Sequence, residues 1–61
     1  MARSRIRILI VDDSPIDREL LLTFFEDEPD LEVVGQAADA LEAREKVKSL
    51  RPDVLTLDVS M

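Results

Sequence analysis

Several residue types that enzymes and small secreted domains depend on are missing from this sequence. It has no cysteine, so it forms no disulfide, which fits a reducing compartment. It has no histidine, which excludes a Ser-His-Asp triad, a histidine general base and a histidine-ligated zinc site. Its single glycine, Gly35, excludes the glycine-rich phosphate loops of P-loop and dinucleotide-binding proteins.

Long apolar segments are also missing. The longest stretches without a charged side chain cover only six residues each, at 20–25 and 33–38, far short of a membrane span. The apolar stretch that follows the first arginines ends at Asp12, so no secretory signal is visible. The sequence therefore predicts a cytoplasmic protein without a membrane partner.

Acidic residues dominate the charge. The 61 residues include 14 acidic and 8 basic side chains, which gives a net charge of -6. Residues 12–42 contain eleven acids and one base, Arg18. Nucleic acids and anionic lipids repel such a chain, so neither is expected as a partner. A chain this short forms at most one small domain.

The first half of the chain reads as a strand followed by a helix. Residues 8–11 form a continuous, β-branched-rich run that is typical of a strand buried on both faces. Ser14 can cap a helix whose first residue is Pro15. The four-residue spacing within this helix predicts a buried stripe of Ile16, Leu20 and Phe24, widened by Leu21 and Phe25, and Pro29 marks the exit.

The second half repeats the pattern. Residues 31–34 predict a short strand that stops near Gly35, and Asp39 can cap a second helix that Pro52 ends. The narrow buried stripe of this helix is predicted to be Ala40, Ala43, Val47 and Leu50. Residues 54–57 then predict a third strand that runs into Asp58.

The resulting order, β-α-β-α-β, predicts an α/β fold with a parallel sheet. Right-handed crossovers with strand order 2-1-3 place the two helices on opposite faces of the sheet. The third strand is then left as an open edge made of apolar residues, which is not how a finished domain ends. Residues 1–61 are therefore expected to be a truncated domain.

Three carboxylates follow two neighbouring strands. Asp12 and Asp13 come directly after the first strand, and Asp58 comes after the third. Ligands of open parallel sheets bind where the strand order reverses, so these acids are expected to converge there. An aspartate after a strand is often only a turn residue, and Asp13 alone is more simply that. Together, the three oxygen ligands fit Mg²⁺, which can hold a phosphoryl donor against an aspartate nucleophile.

The segments Ile8-Leu9-Ile10-Val11-Asp12-Asp13-Ser14 and Pro52-Asp53-Val54-Leu55-Thr56-Leu57-Asp58-Val59-Ser60-Met61 resemble response-regulator receiver domains. The second segment, with Ala43-Arg44-Glu45 before it, is most similar to the chemotaxis protein-glutamate methylesterases of the CheB type. The resemblance implies the first three strands of a flavodoxin-like sheet. It also implies phosphorylation of Asp58 by a histidine kinase and Mg²⁺ ligation by Asp12, Asp13, Asp58 and the backbone carbonyl of Ser60. Ser60 stands where the family usually has an acidic residue.

The resemblance also implies missing parts. Three parts of the family's proteins would lie beyond Met61: the hydroxyl residue after strand four, the lysine after strand five and the methylesterase domain. We therefore expect this chain to bind cations weakly, to accept a phosphoryl group slowly and to have no esterase activity. The alternative is a non-catalytic half-domain that self-associates to a homo-oligomer through its open third strand. Leu22 and Leu41, outside the predicted core stripes, are weaker arguments for it. A small nucleotide-binding fragment ranks last, because it would need glycine near the first helix.

Overall fold

A computed structural model describes residues 5–58 of the chain, with Asp58 described through its backbone alone. Its strands and helices alternate, as the sequence predicts: β1 (Ile6–Asp12), α1 (Pro15–Glu26), β2 (Leu31–Ala37), α2 (Ala40–Leu50) and β3 (Val54–Asp58). The strands form one parallel sheet in the order β2-β1-β3. The predicted α/β architecture with strand order 2-1-3 is therefore confirmed.

The core of the molecule lies on β1, which pairs with a strand on each side. Its register partners include Ala37 of β2 opposite Val11, and Leu55 of β3 opposite Leu9. Both helices contact this strand. Residues 8–11 are consequently almost inaccessible to solvent, with none more than 3% exposed. The prediction of a strand buried on both faces is confirmed.

Helix α1 begins as predicted but packs through a different face. Ser14 caps it, with its hydroxyl oxygen accepting a hydrogen bond from the backbone of Asp17. The predicted buried stripe is wrong for Ile16, Leu20 and Phe24, which are 71%, 64% and 65% exposed, whereas Leu21 and Phe25, predicted to widen it, are partly buried. The partly buried side of the helix instead comprises Ser14, Arg18, Leu21, Leu22 and Phe25.

The reason lies in the breadth of the apolar arc on α1. Leucines and phenylalanines at 20–22 and 24–25 extend around more than half of the helix, so spacing alone does not choose which part faces the sheet. Within the described residues α1 contacts β1 and β2 but not β3. The side of the helix that turns away from those two strands therefore stays exposed.

Helix α2 lies close to the sheet through small residues. Asp39 caps it by accepting a hydrogen bond from the backbone of Glu42 at 2.8 Å, as the sequence predicts. Ala43 is buried and Leu50 is partly buried, but Ala40 and Val47 of the predicted stripe are exposed. Neither helix in the described part of the chain is long and apolar enough to cross a membrane.

Gly35 lies inside β2 and does not end it, so the predicted strand was too short. The register between β1 and β2 shifts at this point, where Val33 pairs with Ile8 and Gly35 pairs with Leu9. A Cβ atom on Gly35 would lie 2.7 Å from the Cδ1 atom of Leu50 and 3.3 Å from that of Leu9. The glycine therefore lets the end of α2 approach the sheet.

Strand β3 is the exposed edge of the described sheet. Asp53 anchors its start, because the backbone of Arg7 donates to the Asp53 carboxylate and the Asp53 backbone donates to the Arg7 carbonyl. Its apolar side chains remain open, with Val54 45%, Leu55 44% and Leu57 65% exposed. The predicted open apolar edge is confirmed for the described residues.

Replacing Gly35 by valine is expected to lower the free energy of unfolding by about 1–3 kcal/mol, because a branched side chain must displace Leu50 from the sheet. Urea unfolding of the purified chain measures the effect. Glu32→Val, at an exposed position of the same strand, is the matched control and should change stability by less than about 0.5 kcal/mol. Equal stability of the two variants would contradict this account of α2 packing.

Candidate functional site

The backbone brings two of the predicted site residues to adjacent positions. Asp12 is the last residue of β1, Asp58 is the last residue of β3, and the two are register partners. Both therefore lie at the carboxyl ends of neighbouring parallel strands. This edge of an open α/β sheet is where ligands bind.

The carboxylate of Asp12 is buried but only half satisfied. The residue is 1% exposed, and its Oδ1 atom accepts a hydrogen bond from the backbone of Ser14 at 2.9 Å. Its Oδ2 atom is buried without a hydrogen-bond partner among the described residues. Because an unpartnered polar atom in the interior is costly, native proteins keep few of them. An oxygen in this state is chemically suited to a cation or to a hydrogen-bond donor.

A shallow surface depression lies beside Asp12. It has a volume of about 280 Å³ and is lined by Asp12, Asp17, Leu20 and Leu21. Its lining combines two carboxylates with two leucines from α1. The Asp12 side chain is nevertheless almost closed to solvent, so this depression does not expose its Oδ2 atom.

Arg18 is a site residue that the sequence reasoning missed. Its Nη1 atom donates a hydrogen bond to the backbone carbonyl of Asp12 at 2.6 Å. Two signals were available in the sequence: Arg18 is the one base among the eleven acids of residues 12–42, and it precedes Leu21 and Leu22 by three and four positions. That spacing places it on the same side of the helix as two partly buried leucines.

The predicted acidic cluster is only partly visible. Asp13 follows Asp12 but is exposed. The side chain of Asp58 and all of Ser60 lie outside the described residues. Within the described part of the chain, no group of three or more acidic, histidine or cysteine side chains is arranged to hold a metal ion. The four-residue magnesium site therefore stays a prediction.

Comparison with known proteins gives a consistent result. Residues 8–61 match the family model of the response regulator receiver domain. The chain is 57% identical over 58 residues to a protein-glutamate methylesterase/protein-glutamine glutaminase of Hydrogenovibrio crunogenus, and 56% identical over 61 residues to one of Geobacter metallireducens. These matches cover 95% and 100% of the chain but only 15% and 17% of the two relatives.

A solved structure also matches closely. The fold superposes on the crystal structure of the response regulator domain of Thermotoga maritima CheB with a TM-score of 0.89 at 49% sequence identity. The match covers 93% of this chain and 42% of that domain. The chain thus spans less than half of the solved domain and a small fraction of the longer relatives.

Replacing Asp12 by asparagine is expected to raise the free energy of unfolding by about 1–2 kcal/mol in the absence of divalent cations. The substitution removes a buried charge while the amide oxygen still accepts the hydrogen bond from Ser14. Urea unfolding in EDTA tests this expectation. Asp13→Asn, at the exposed neighbouring position, should leave the unfolding curve almost unchanged. A destabilised Asp12→Asn variant would contradict this expectation.

Proposed function

The chain belongs to the response regulator receiver domain family, and on this premise we propose that it is the phosphoacceptor part of a chemotaxis response regulator in which Asp58 receives the phosphoryl group. The observation that carries the proposal is the register pairing of Asp58 with Asp12 at the carboxyl edge of the sheet. Residues 1–61 then correspond to the first three strands of a receiver. The similarity to methylesterases of the CheB type supports a chemotaxis pathway.

The proposed chemistry is the transfer of one phosphoryl group to a carboxylate. A carboxylate oxygen of Asp58 attacks the phosphorus of a phosphohistidine on a histidine kinase, the partner that the family implies. The new P–O bond gives an acyl phosphate as the P–N bond breaks, and the bonding electrons leave with the imidazole nitrogen, which takes up a proton. Asp58 must be ionised to act as the nucleophile.

We propose Mg²⁺ as the cofactor, held by Asp12, Asp13, Asp58 and the backbone carbonyl of Ser60. The described residues fit the ion, since Asp12 offers a buried oxygen without a partner and the donor set consists of hard oxygen atoms. When bound, the ion neutralises charge on the transferring phosphoryl group. Asp12 and Asp13 supply the negative charge that attracts the ion, and the Ser14 hydrogen bond fixes one Asp12 oxygen so that the other remains available.

Activity of this chain by itself is expected to be low. The hydroxyl residue and the lysine that receivers use on their fourth and fifth strands are not among its 61 residues. Without that lysine, no fixed positive charge faces the phosphoryl group from that side. The methylesterase chemistry of the relatives is not proposed for this chain, because the sequence contains no histidine for a serine triad.

Incubation with acetyl phosphate and MgCl₂ should add a single phosphoryl group, detected by mass spectrometry of the intact chain. The Asp58→Asn variant should show no adduct, because its amide is not nucleophilic. Asp27→Asn, the same chemical change at an exposed position at the end of α1, is the matched control and should still be labelled. An adduct of equal yield in Asp58→Asn would remove Asp58 from the acceptor role.

Self-association through β3 is the alternative function. Its support is the exposed apolar edge, where Val54 and Leu57 are 45% and 65% exposed. Two copies can continue the sheet edge to edge, although the net charge of -6 on each opposes their approach. Sedimentation at raised salt should then show a dimer that Leu57→Lys converts to monomer. Phe24→Lys is the control, because Phe24 is as exposed as Leu57 but lies on α1, which does not contact β3 within the described residues. A folded monomer at high concentration would exclude this alternative.

A further inference from the structure

We propose that Arg18 is a positioning residue for the cation site: it fixes the end of β1 so that Asp12 presents one constrained and one available carboxylate oxygen. The proposal rests on the magnesium site proposed above. Its structural basis is a hydrogen bond from the Nη1 atom of Arg18 to the backbone carbonyl of Asp12, at 2.6 Å and partly shielded from solvent.

Three hydrogen bonds form a closed circuit around this residue. The Ser14 backbone donates to Oδ1 of Asp12 at 2.9 Å, the Arg18 backbone donates to the Ser14 carbonyl at 3.0 Å, and the Arg18 side chain returns to the Asp12 carbonyl. The circuit ties both the main chain and the side chain of Asp12 to the beginning of α1. Rotation of the carboxylate would break the first bond, and movement of the strand end would break the third.

The closed circuit leaves only Oδ2 of Asp12 without a partner. A carboxylate held in this way does not need to be ordered when a cation binds, so less conformational entropy is lost on binding. Residues that orient a metal ligand in other proteins typically contribute 10–100-fold to affinity. Arginine suits the position because its guanidinium carries several donors at the end of a long side chain.

A rival explanation is that Arg18 acts only through its charge. Its positive charge lies among eleven acids in residues 12–42 and lowers their mutual repulsion. A charge near the site also opposes a divalent cation, so removal of a purely electrostatic Arg18 would strengthen Mg²⁺ binding. Positioning predicts the opposite sign. The two explanations also differ in salt dependence, since salt screens the charge effect but leaves a hydrogen bond in place.

The test is a Mg²⁺ titration of the labelled 61-residue chain, followed through its amide NMR shifts. Arg18→Met is expected to weaken Mg²⁺ binding by roughly tenfold. Arg18→Lys, which keeps a charged donor, should restore most of the affinity. The loss in Arg18→Met should persist when KCl is raised from about 0.1 M to about 1 M. Arg44→Met, which removes an exposed arginine from α2, is the matched control and should bind as the parent chain does.

A second readout needs no metal. Hydrogen exchange of the Ser14 amide, measured in EDTA, reports whether its bond to Asp12 stays closed. It should be faster in Arg18→Met than in Arg44→Met, while amides in the middle of β1 exchange at unchanged rates. If Arg18→Met does not fold, Arg18→Lys and Arg18→Gln replace it, with slower Ser14 exchange expected in the lysine variant.

The outcomes separate the two proposals. A parent chain without Mg²⁺-dependent shifts would reject the magnesium site, and the Ser14 exchange would still decide whether Arg18 positions Asp12. A parent chain that binds Mg²⁺ no more tightly than Arg18→Met, with equal Ser14 exchange, would overturn the role of Arg18. Tighter binding by Arg18→Met at low salt alone would assign the residue a purely electrostatic role.

Discussion

The pairing of β1 on both of its edges is the constraint on which the rest of this structure depends. Residues 8–11 bury almost completely because strands flank β1 on two sides and both helices contact it. Burial of these four aliphatic side chains supplies much of the apolar area that a chain of this size can remove from water. The strand ends at Asp12, so the same pairing that builds the core carries a carboxylate into a dry position.

Burial of the Asp12 carboxylate costs stability, whereas the proposed magnesium site requires that carboxylate. A fold selected only for stability would place an apolar or fully hydrogen-bonded side chain there, because a buried carboxylate with a free oxygen is costly. The chain keeps the acid although only one of its carboxylate oxygens is bonded: the Ser14 amide donates to Oδ1, whereas the Arg18 guanidinium donates to the backbone carbonyl of Asp12. Sites of this kind are where local rules of stability are usually broken in favour of function.

The helices and strands and their order along the chain could be predicted from the sequence, because they depend on local interactions. The apolar run at residues 8–11 and the caps at Ser14 and Asp39 depend on local chemistry, so they could be predicted. The exposure of Ile16, Leu20 and Phe24 on α1 could not be predicted. It depends on which strands lie beneath the helix, and the apolar arc is broad enough for either orientation. Gly35 was misread for the same reason: a strand end and a close helix contact both favour glycine, and only packing distinguishes them. Arg18 was missed because its role depends on a contact between a side chain and a strand end.

Asp12 and Asp58 end strands that are supported to different degrees, because both helices contact β1 and neither contacts β3 within the described residues. Asp12 ends β1, which is paired on both sides, whereas Asp58 ends β3, which within the described residues is paired only with β1. Asp12 and Asp58 form the last register pair between β1 and β3. Motion of β3 relative to β1 would therefore change the separation of their backbones directly. A strand that pairs with the outer edge of β3 would restrict this motion without touching either acid. If the two acids act together as proposed, their separation depends on how the outer edge of β3 is held as well as on the hydrogen bonds that fix Asp12.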